Sequence, residues 1–350
     1  MGSQQLVADF RRLVVDVEEL CNPQRNFYIN YSRLKFVRNL GAGAFGEVML
    51  MELEGISSED QRKQRLVAVK RLLDSEVKDE FVQEMTTMRK LKHANLVQLL
   101  HVVDDDAHPG LVIEYLDGGS LADWLDDHHA RPLDTDLSIH VLHSIANGMA
   151  ELVRCGVVHR DLAARNGDLR QLQLTTRGLQ IGIQTSRPLP LRWLAPEMLK
   201  DKMANEATDV YAYGVLMHEL FEDDLPLAHL DDAAFMGLLV ELSRKSSGLI
   251  RQRRSSLGSS GDHVEMQARA PAFEPPAHCP PALASVMRWC IDLNPMHRPT
   301  FAQLQDKWVA VGVSQAAATP TALPASQATP RLILSPSPTL EDTNQSESRL

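Results

Sequence analysis

The octamer HRDLAARN, His159–Asn166, restricts the possible folds of this chain more than any other stretch of its sequence. It gathers an acid, two arginines and an amide into one short polar segment. An aspartate in such a loop can accept a proton from a hydroxyl group, and an asparagine five residues further on can ligate a metal ion. The octamer is a highly specific pattern. It indicates Asp161, Arg165 and Asn166 as candidate catalytic residues and Asn166 as a candidate metal ligand.

A glycine motif, LGAGAFGEV, sets Gly41, Gly43 and Gly46 in G-x-G-x-x-G-x-V order between two strand-like runs. Glycines let backbone amides approach phosphate groups without a side-chain clash. Dinucleotide-binding folds share part of this motif, but there it joins a strand to a helix. The flanking strands therefore favour a hairpin that covers phosphates, and an ordinary glycine-rich turn is the plain alternative.

Two charged residues that follow the glycine motif have a spacing typical of a phosphate-binding site. The segment VAVK places Lys70 on the next strand but one, and Glu84 comes fourteen residues later on a helix predicted at about Lys78–Leu91. A lysine on an inner strand needs a carboxylate to hold its flexible stem toward phosphate oxygens. Taken singly, they would be a surface lysine and an ordinary helical glutamate. The order of the motifs favours a phosphate anchor.

The motifs in this order resemble those of protein kinases, and Ala164-Arg165 within the octamer is similar to the tyrosine-kinase group. The resemblance covers roughly residues 34–310 and includes PLRWLAPE, DVYAYGV and NPMHRPTF. It implies an α+β, bilobal protein-kinase fold with a small β-rich N-lobe of five strands and one key helix, and a larger α-helical C-lobe. It also implies that Asp209 braces the catalytic loop and that Arg298 pairs with Glu197.

The resemblance also implies ATP and Mg²⁺ as cofactors, with the nucleotide in the cleft between the lobes. The catalytic residues would be Asp161 as the base, Lys70, Glu84, Arg165 and Asn166. The nucleotide-contacting residues would be Leu40, Gly41, Gly43, Gly46, Val48, Ala68, Lys70, Glu114 and Leu116, with Ile113 as the gatekeeper. Glu114 and Leu116 would contact the adenine edge through backbone groups. Core packing is the plain alternative for the apolar members.

The kinase pattern breaks after Asn166. Kinases carry a second metal-binding carboxylate, the Asp of a D-F-G triplet, about thirteen residues after the loop asparagine, where this chain has Leu179. No D-F-G triplet occurs in the sequence, and the best local alignment sets Thr176-Arg177-Gly178 in its place. A neutral threonine is a poor ligand for Mg²⁺, which prefers carboxylate and water oxygens. Metal binding is therefore expected to be weakened or lost.

Two functions stay open at this point. The first is a protein tyrosine kinase that transfers the γ-phosphate of ATP to tyrosine hydroxyls of a protein substrate. The second is a catalytically impaired pseudokinase that acts as a signalling scaffold or as an allosteric partner of another kinase. The retained Lys70, Glu84, Asp161 and Asn166 favour either a recent loss of the triplet or a faulty gene model that removed residues after Asn166.

The remaining sequence sets the domain boundaries. We predict an N-terminal juxtadomain segment at 1–33, the N-lobe at 34–116, the C-lobe at 117–310 with a flexible insert at 244–270, and a disordered tail at 311–350. Within the insert, RQRRSSLG places Ser255 and Ser256 after a basic run, a context for phosphorylation. The final Ser348-Arg349-Leu350 could add as a strand to a PDZ-type groove, although a chain end without a partner is the default.

Charge and composition exclude several classes of function. The chain has 36 basic and 46 acidic residues and a net charge of −10, which argues against nonspecific nucleic-acid binding. No apolar run approaches the roughly eighteen residues of a membrane span. The four cysteines lack metal-ligand spacing and are expected to be free thiols of a reducing compartment. We therefore expect a cytoplasmic protein or the intracellular part of a receptor.

Overall fold

The computed structural model of the chain describes residues 27–43, 46–54, 65–72, 78–103, 105, 108–168, 173–174, 191–201, 204–256 and 271–312. The Thr176-Arg177-Gly178 stretch and the C-terminal PDZ-type motif lie outside them. The chain divides into two compact units, and among the described residues the first holds those from 27 to 92 and from 97 to 117. The second holds 93–96 and those from 118 to 312, so the change of unit falls one residue beyond the predicted boundary.

The first unit is built on one six-stranded sheet. Its strands are β1 (Tyr28–Ile29), β2 (Leu34–Gly43), β3 (Gly46–Leu53), β4 (Arg65–Leu72), β5 (Leu99–Val103) and β6 (Gly110–Glu114), in the spatial order β1-β5-β6-β4-β3-β2. β2, β3, β4, β6 and β5 form an antiparallel series. Their alternating residues bury one face, which includes Met49, Met51, Val67 and Val69.

Among its described residues the first unit has one α-helix, α1 (Lys78–Lys90), which confirms the helix predicted at about Lys78–Leu91. Met85 and Met88 lie one turn apart and pack against Val102 and Leu111 of the sheet. These contacts fix one face of α1 on the sheet, because side chains at i and i+3 lie on the same side of a helix. Glu84, next to Met85, is buried with them.

β1 adds a sixth strand to the five that the sequence predicts. Tyr28 and Ile29 pair in parallel with Val102 and Val103, and Ile29 belongs to the buried cluster of the sheet. This strand lies in the segment 1–33, which the sequence assigns to the juxtadomain region. Two residues are too few to show the alternation from which strands are predicted, so only the pairing reveals it.

The second unit is mostly helical. Its helices are α2 (Leu121–Asp127), α3 (Thr135–Arg154), α4 (Met198–Asp201), α5 (Glu206–Glu219), α6 (Asp232–Ser256), α7 (Pro281–Cys290) and α8 (Phe301–Val311). A small pair of strands, β7 (Gly167–Asp168) and β8 (Gln173–Leu174), completes the described part, with short 3-10 turns at Ala164–Asn166, Leu191–Trp193 and Pro295–His297. Within the described residues no helix is both long and apolar enough to cross a bilayer.

The core of the second unit joins α3, α5 and α8. Trp308 donates its indole N–H to the hydroxyl of Tyr213 at 2.8 Å, and Tyr213 donates in turn to the carbonyl of Leu142 at 2.7 Å. These large side chains are fully buried, so the two hydrogen bonds satisfy polar atoms that would otherwise lack a partner. Gly214 lies where α5 meets α7, and a Cβ there would come within 2.4 Å of Ile291.

The predicted flexible insert at 244–270 is helical in its first half, because α6 continues from Asp232 to Ser256. The reason is that the buried stripe of α6, with Phe235, Leu239 and Leu242, runs on through Ser246. Small serines at buried helical positions continue the stripe without the apolar residues by which a sequence pattern is recognised. Residues 257–270 of the insert lie outside the described residues.

A histidine at the end of α5 makes stability depend on pH. His218 is 8% exposed, its Nδ1 has no hydrogen-bond partner among the described residues, and burial, aided by nearby His278, lowers the pKa of its imidazole to about 4. In the unfolded chain a histidine has a pKa of about 6.5. Between that pH and the lower pKa of the folded state, the unfolded chain binds a proton that the folded chain does not bind, so acid favours unfolding.

We expect the free energy of unfolding to fall by about 2 kcal/mol between pH 6.5 and 4.5 because of this group. His218→Gln should remove that part of the pH dependence, and His229→Gln, at an exposed position, should not. Urea unfolding of the three proteins at both pH values measures the difference. Parallel pH profiles for the parent chain and His218→Gln would contradict the assignment.

Candidate active site

The first unit contributes a glycine-rich hairpin and a buried ion pair. β2 and β3 pair with Gly43 opposite Gly46 and Gly41 opposite Val48, so the glycine motif joins two antiparallel strands as the sequence predicts. On the neighbouring strand Lys70 lies opposite Val48. The Nζ atom of Lys70 donates to the two carboxylate oxygens of Glu84 at 2.7 and 2.5 Å.

The pair of Lys70 and Glu84 is enclosed by protein, since the two residues are 8% and 6% exposed. A buried ammonium and a buried carboxylate each cost several kcal/mol to desolvate, and close contact offsets that cost. The plainer interpretation, a surface lysine and an ordinary helical glutamate, is therefore wrong. β4 and α1 hold this ammonium group in one place and one orientation.

The apolar residues predicted to contact the nucleotide also lie together. Leu40, Val48 and Ala68 form one buried cluster with Leu50, and Ile113 packs against it. The structure places Leu40 on β2, Val48 on β3 and Ala68 on β4, so three adjacent strands build the cluster. Glu114 ends β6, where its N–H donates to the carbonyl of Gln98 at 3.0 Å, and Leu116 follows two residues later, 9% exposed.

The second unit holds the octamer in a fixed backbone conformation. The carboxylate of Asp209, on α5, accepts the backbone N–H groups of His159 at 2.7 Å and Arg160 at 2.8 Å. Arg160 has φ of 68°, in the left-handed region that a non-glycine residue rarely adopts. Burial raises the pKa of the Asp209 carboxyl, and His159 and Arg160 counteract that rise. Asp209 therefore braces this loop, as the family resemblance implies.

Asp161, Arg165 and Asn166 converge on one carboxylate. The Nη2 atom of Arg165 donates to Oδ1 of Asp161, and the Nδ2 atom of Asn166 donates to Oδ2 at 2.9 Å and to the backbone carbonyl of Asp161 at 2.6 Å. Each carboxylate oxygen can accept two hydrogen bonds, so both retain acceptor capacity. The side chain of Asp161 is 26% exposed, which leaves it accessible to a hydroxyl group.

Two further residues, Trp193 and Glu219, support this arrangement, and the sequence alone did not point to either of them. The guanidinium of Arg165 lies 4.4 Å from the centre of the Trp193 ring. Trp193 donates its indole N–H to Oε2 of Glu219 at 3.0 Å, and the same oxygen accepts the N–H of Ala164 at 3.1 Å. Burial raises the pKa of the Glu219 carboxyl. Glu219 is an acid between mostly apolar residues at the end of α5, and this sequence signal could have identified it, because a buried acid needs hydrogen-bond partners.

The predicted pair of Glu197 and Arg298 is formed in the second unit. The two guanidinium nitrogens Nη1 and Nη2 donate to the carboxylate oxygens at 2.6 and 2.9 Å. Arg298 also donates to the carbonyls of Asp292 and Ala207. Its side chain is fully buried, and this network joins the segment before α4 to the segment before α8. The pair is structural, because its charged groups are engaged by each other and by backbone carbonyls of the second unit.

The donor set tests the fit to the two expected cofactors. An ammonium fixed beside a glycine hairpin fits the phosphates of a nucleotide. For Mg²⁺ the described octamer supplies the amide of Asn166 and a carboxylate, Asp161, that is already engaged by Arg165 and Asn166. Mg²⁺ is commonly bound through one or two carboxylates. Among the described residues, the Lys70 ammonium and the glycine hairpin fit nucleotide phosphates, and the ligand set for Mg²⁺ is incomplete.

The sequence matches the family described as protein tyrosine and serine/threonine kinase over residues 34–308. Among curated proteins, "Inactive tyrosine-protein kinase 7" is 31% identical over 294 residues in Gallus gallus and 29% identical over 295 residues in Homo sapiens, which covers 78% of this chain and 25% of each relative. "Tyrosine-protein kinase SPK-1" of Girardia tigrina is 28% identical over 299 residues, 80% of this chain and 53% of that protein.

This chain thus spans about a quarter to a half of the length of these relatives. Protein kinases generally use ATP and Mg²⁺ and act on protein substrates. The family match covers most of the chain and includes the glycine hairpin, the Lys70–Glu84 pair and the octamer. The chain therefore belongs to the protein tyrosine and serine/threonine kinase family, as a tyrosine-kinase-type domain.

Proposed function

We propose that this domain binds ATP and transfers its γ-phosphate to tyrosine hydroxyls of a protein, at a rate limited by the missing D-F-G aspartate. The observation that carries the proposal is the buried contact of Lys70 with both oxygens of Glu84, at 2.7 and 2.5 Å. Packing alone gives no reason to keep an ion pair in an apolar setting, since apolar residues of similar volume are often as stable there. A lysine held in this way is suited to an anionic ligand.

Each predicted site residue has a proposed role in binding. The glycine hairpin, with Gly41, Gly43 and Gly46, would cover the phosphates through backbone amides, and Lys70 would neutralise part of their charge. Leu40, Val48 and Ala68 would enclose the adenine ring. Backbone groups of Glu114 and Leu116 would contact its polar edge.

The chemical step is proposed to depend on Asp161. Its carboxylate would accept the proton of the tyrosine hydroxyl as the phenolic oxygen bonds to the γ-phosphorus and ADP leaves. Arg165 and Asn166 orient the carboxylate through their hydrogen bonds. Trp193 positions Arg165 through its ring face. Positioning of this kind lowers the activation free energy of transfer, because the entropy of orienting the base is already lost before the reaction.

Asn166 would be the ligand that this chain offers Mg²⁺, which would supply neutralisation of the phosphate charge. A D-F-G aspartate is absent from the sequence, where Thr176-Arg177-Gly178 aligns with the triplet. Loss of one electrostatic contact to a developing charge commonly costs about 3–4 kcal/mol, or a factor of roughly 10²–10³ in rate. We therefore propose slow transfer.

ATP binding tests the first half of the proposal. ATP in large excess over its dissociation constant should raise the melting temperature of the domain by about 2–4 °C. Lys70→Met should abolish most of that rise, because a thioether cannot compensate phosphate charge. Lys35→Met is the matched control, since the Lys35 side chain is 74% exposed on β2. An equal ATP shift in the parent and Lys70→Met proteins would contradict the assigned role.

A second candidate function is a catalytically impaired pseudokinase that acts as a signalling scaffold or as an allosteric partner of another kinase. Two observations favour it: the absence of a D-F-G triplet from the sequence and the name "inactive" on relatives of about 30% identity. In that case the ATP shift would persist without any transfer.

We also propose that the domain works in a reducing, cytoplasmic compartment. Cys155, Cys279 and Cys290 are thiols, and Cys279 and Cys290 are buried. Burial raises the pKa of the Cys279 thiol to about 11, which keeps it protonated and unreactive near neutral pH. Thiols in place of disulfides are typical of intracellular proteins.

A further inference from the structure

We propose that the end of α6 is a phosphorylation site, with Ser255 and Ser256 as acceptors for a serine kinase that selects arginine before its target. The sequence around them is Arg251-Gln252-Arg253-Arg254-Ser255-Ser256. Relative to Ser256, cations stand at positions −5, −3 and −2. An acidic substrate groove would recognise this arrangement through charge-assisted hydrogen bonds to the guanidinium groups.

α6 carries a second stretch of nearly the same chemistry. Arg244-Lys245-Ser246-Ser247 repeats the order of two cations followed by two serines, so Ser247 also has cations at −3 and −2. Both stretches lie on the same helix, Asp232–Ser256. Sequence alone therefore gives a kinase two similar targets, and the structure distinguishes them.

The first stretch lies in the middle of α6, and its first serine is packed. Ser246 is fully buried, and Ser243, one turn earlier, is buried as well. Ser247 accepts a hydrogen bond from Nζ of Lys200 at 3.4 Å. Access to the Ser246 hydroxyl requires opening of the helix on both sides and exposure of its buried stripe, which includes Leu239 and Leu242. Ser247 is half-buried, but as an interior residue of α6 it becomes extended only with the same opening.

A helix cannot present such a motif without unwinding. Residues three apart lie on one face of a helix, whereas residues two apart point in nearly opposite directions. The cation at −2 and the target hydroxyl therefore cannot reach the same groove while the segment is helical. The site must become extended before the kinase can bind it.

The second stretch can become extended at a small cost in free energy. Ser255 and Ser256 are the last two residues of α6, and the Gly258-Ser259-Ser260-Gly261 sequence that follows has poor helix propensity. Helix ends open with free energies near zero, whereas packed interior turns open only at a much higher cost. We therefore assign the modification to Ser255 and Ser256 and exclude Ser246 and Ser247.

The modification changes the charge of this end of the helix. From Arg244 to Arg254 the chain carries five cations and no acid, in a protein with a net charge of −10. In the reaction the serine Oγ bonds to the γ-phosphorus of ATP, the bond from that phosphorus to the bridging oxygen breaks, ADP leaves and the hydroxyl proton passes to solvent. Each phosphate adds about −1.5 to −2 charges, so two of them offset most of the local positive charge.

The test compares the intact chain with two peptides. A purified arginine-directed serine kinase with ATP and Mg²⁺ is given the full chain, the peptide 241–250 or the peptide 250–259, and mass spectrometry follows each serine. Both peptides should be phosphorylated at similar rates. In the intact chain, Ser255 and Ser256 should be modified at least about tenfold faster than Ser246 and Ser247, because only the helix end opens readily.

Matched variants separate recognition from accessibility. Arg253→Gln/Arg254→Gln should remove the label from the intact chain, and Arg244→Gln/Lys245→Gln should leave it unchanged. Equal rates at the two serine pairs of the intact chain would overturn the proposal, as would an unmodified Ser255 and Ser256. Failure of the peptide 250–259 would show that the motif is not recognised. Failure of the peptide 241–250 would show that sequence, and not helix position, explains the contrast.

Discussion

Replacement of Glu197 by alanine is expected to destabilise the second unit by about 3–5 kcal/mol, because it leaves the buried guanidinium of Arg298 without its counterion. The Arg298 side chain is fully buried and donates two hydrogen bonds to the Glu197 carboxylate, at 2.6 and 2.9 Å. Two of its three other N–H donors bond to the carbonyls of Asp292 and Ala207. The guanidinium is therefore fixed in place and cannot turn out to water when Glu197 is removed.

Urea unfolding measures this effect, and Glu274→Ala is the control. Glu274 pairs with Arg288 at 3.0 Å, but the two side chains are 71% and 46% exposed, so the loss should stay within about 1 kcal/mol. Arg298→Met in the Glu197→Ala background should recover part of the stability, since an apolar side chain needs no counterion. A loss below 1 kcal/mol for Glu197→Ala would show that water or another acid reaches the guanidinium.

Much of this fold could be predicted because its motifs have narrow physical requirements. The glycine motif between two strand-like runs allows little besides a hairpin, and Gly43 lies opposite Gly46 as expected. VAVK and the helix with Met85 and Met88 predict where Lys70 and Glu84 lie, and the structure brings them into contact. Long-range pairs such as Glu197 with Arg298 followed only from the family resemblance, since no local pattern links residues so distant in sequence.

The parts that sequence reasoning missed lack a periodic apolar signal. β1 has two residues, and its pairing with β5 is set by tertiary packing. In the middle of α6 the buried stripe continues with Ser243 and Ser246, and serines there give no apolar pattern, so the sequence predicts a flexible insert from residue 244. Trp193 and Glu219 support the catalytic loop through a hydrogen bond between distant segments, which composition does not reveal.

Asp161→Asn is expected to slow phosphoryl transfer by at least about 10²-fold, which makes it the variant with the largest effect on activity. The amide has the shape of the carboxylate but cannot accept a proton, and a positioned general base contributes about 10²–10⁴-fold to such rates. The geometry around the side chain should be kept. Arg165 can still donate to the oxygen of the new amide, and Asn166 can still donate to the backbone carbonyl of residue 161. Folding and the ATP-induced rise in melting temperature should therefore be unchanged.

The direct test of the proposed function is tyrosine phosphorylation by the purified chain. The parent protein and Asp161→Asn are incubated with ATP, Mg²⁺ or Mn²⁺ and a tyrosine peptide, and phosphopeptide is measured over time by mass spectrometry. We expect slow transfer by the parent protein and a loss of at least about 10²-fold in Asp161→Asn. An ATP-induced thermal shift in the parent protein without any transfer, or equal transfer by both proteins, would contradict the account.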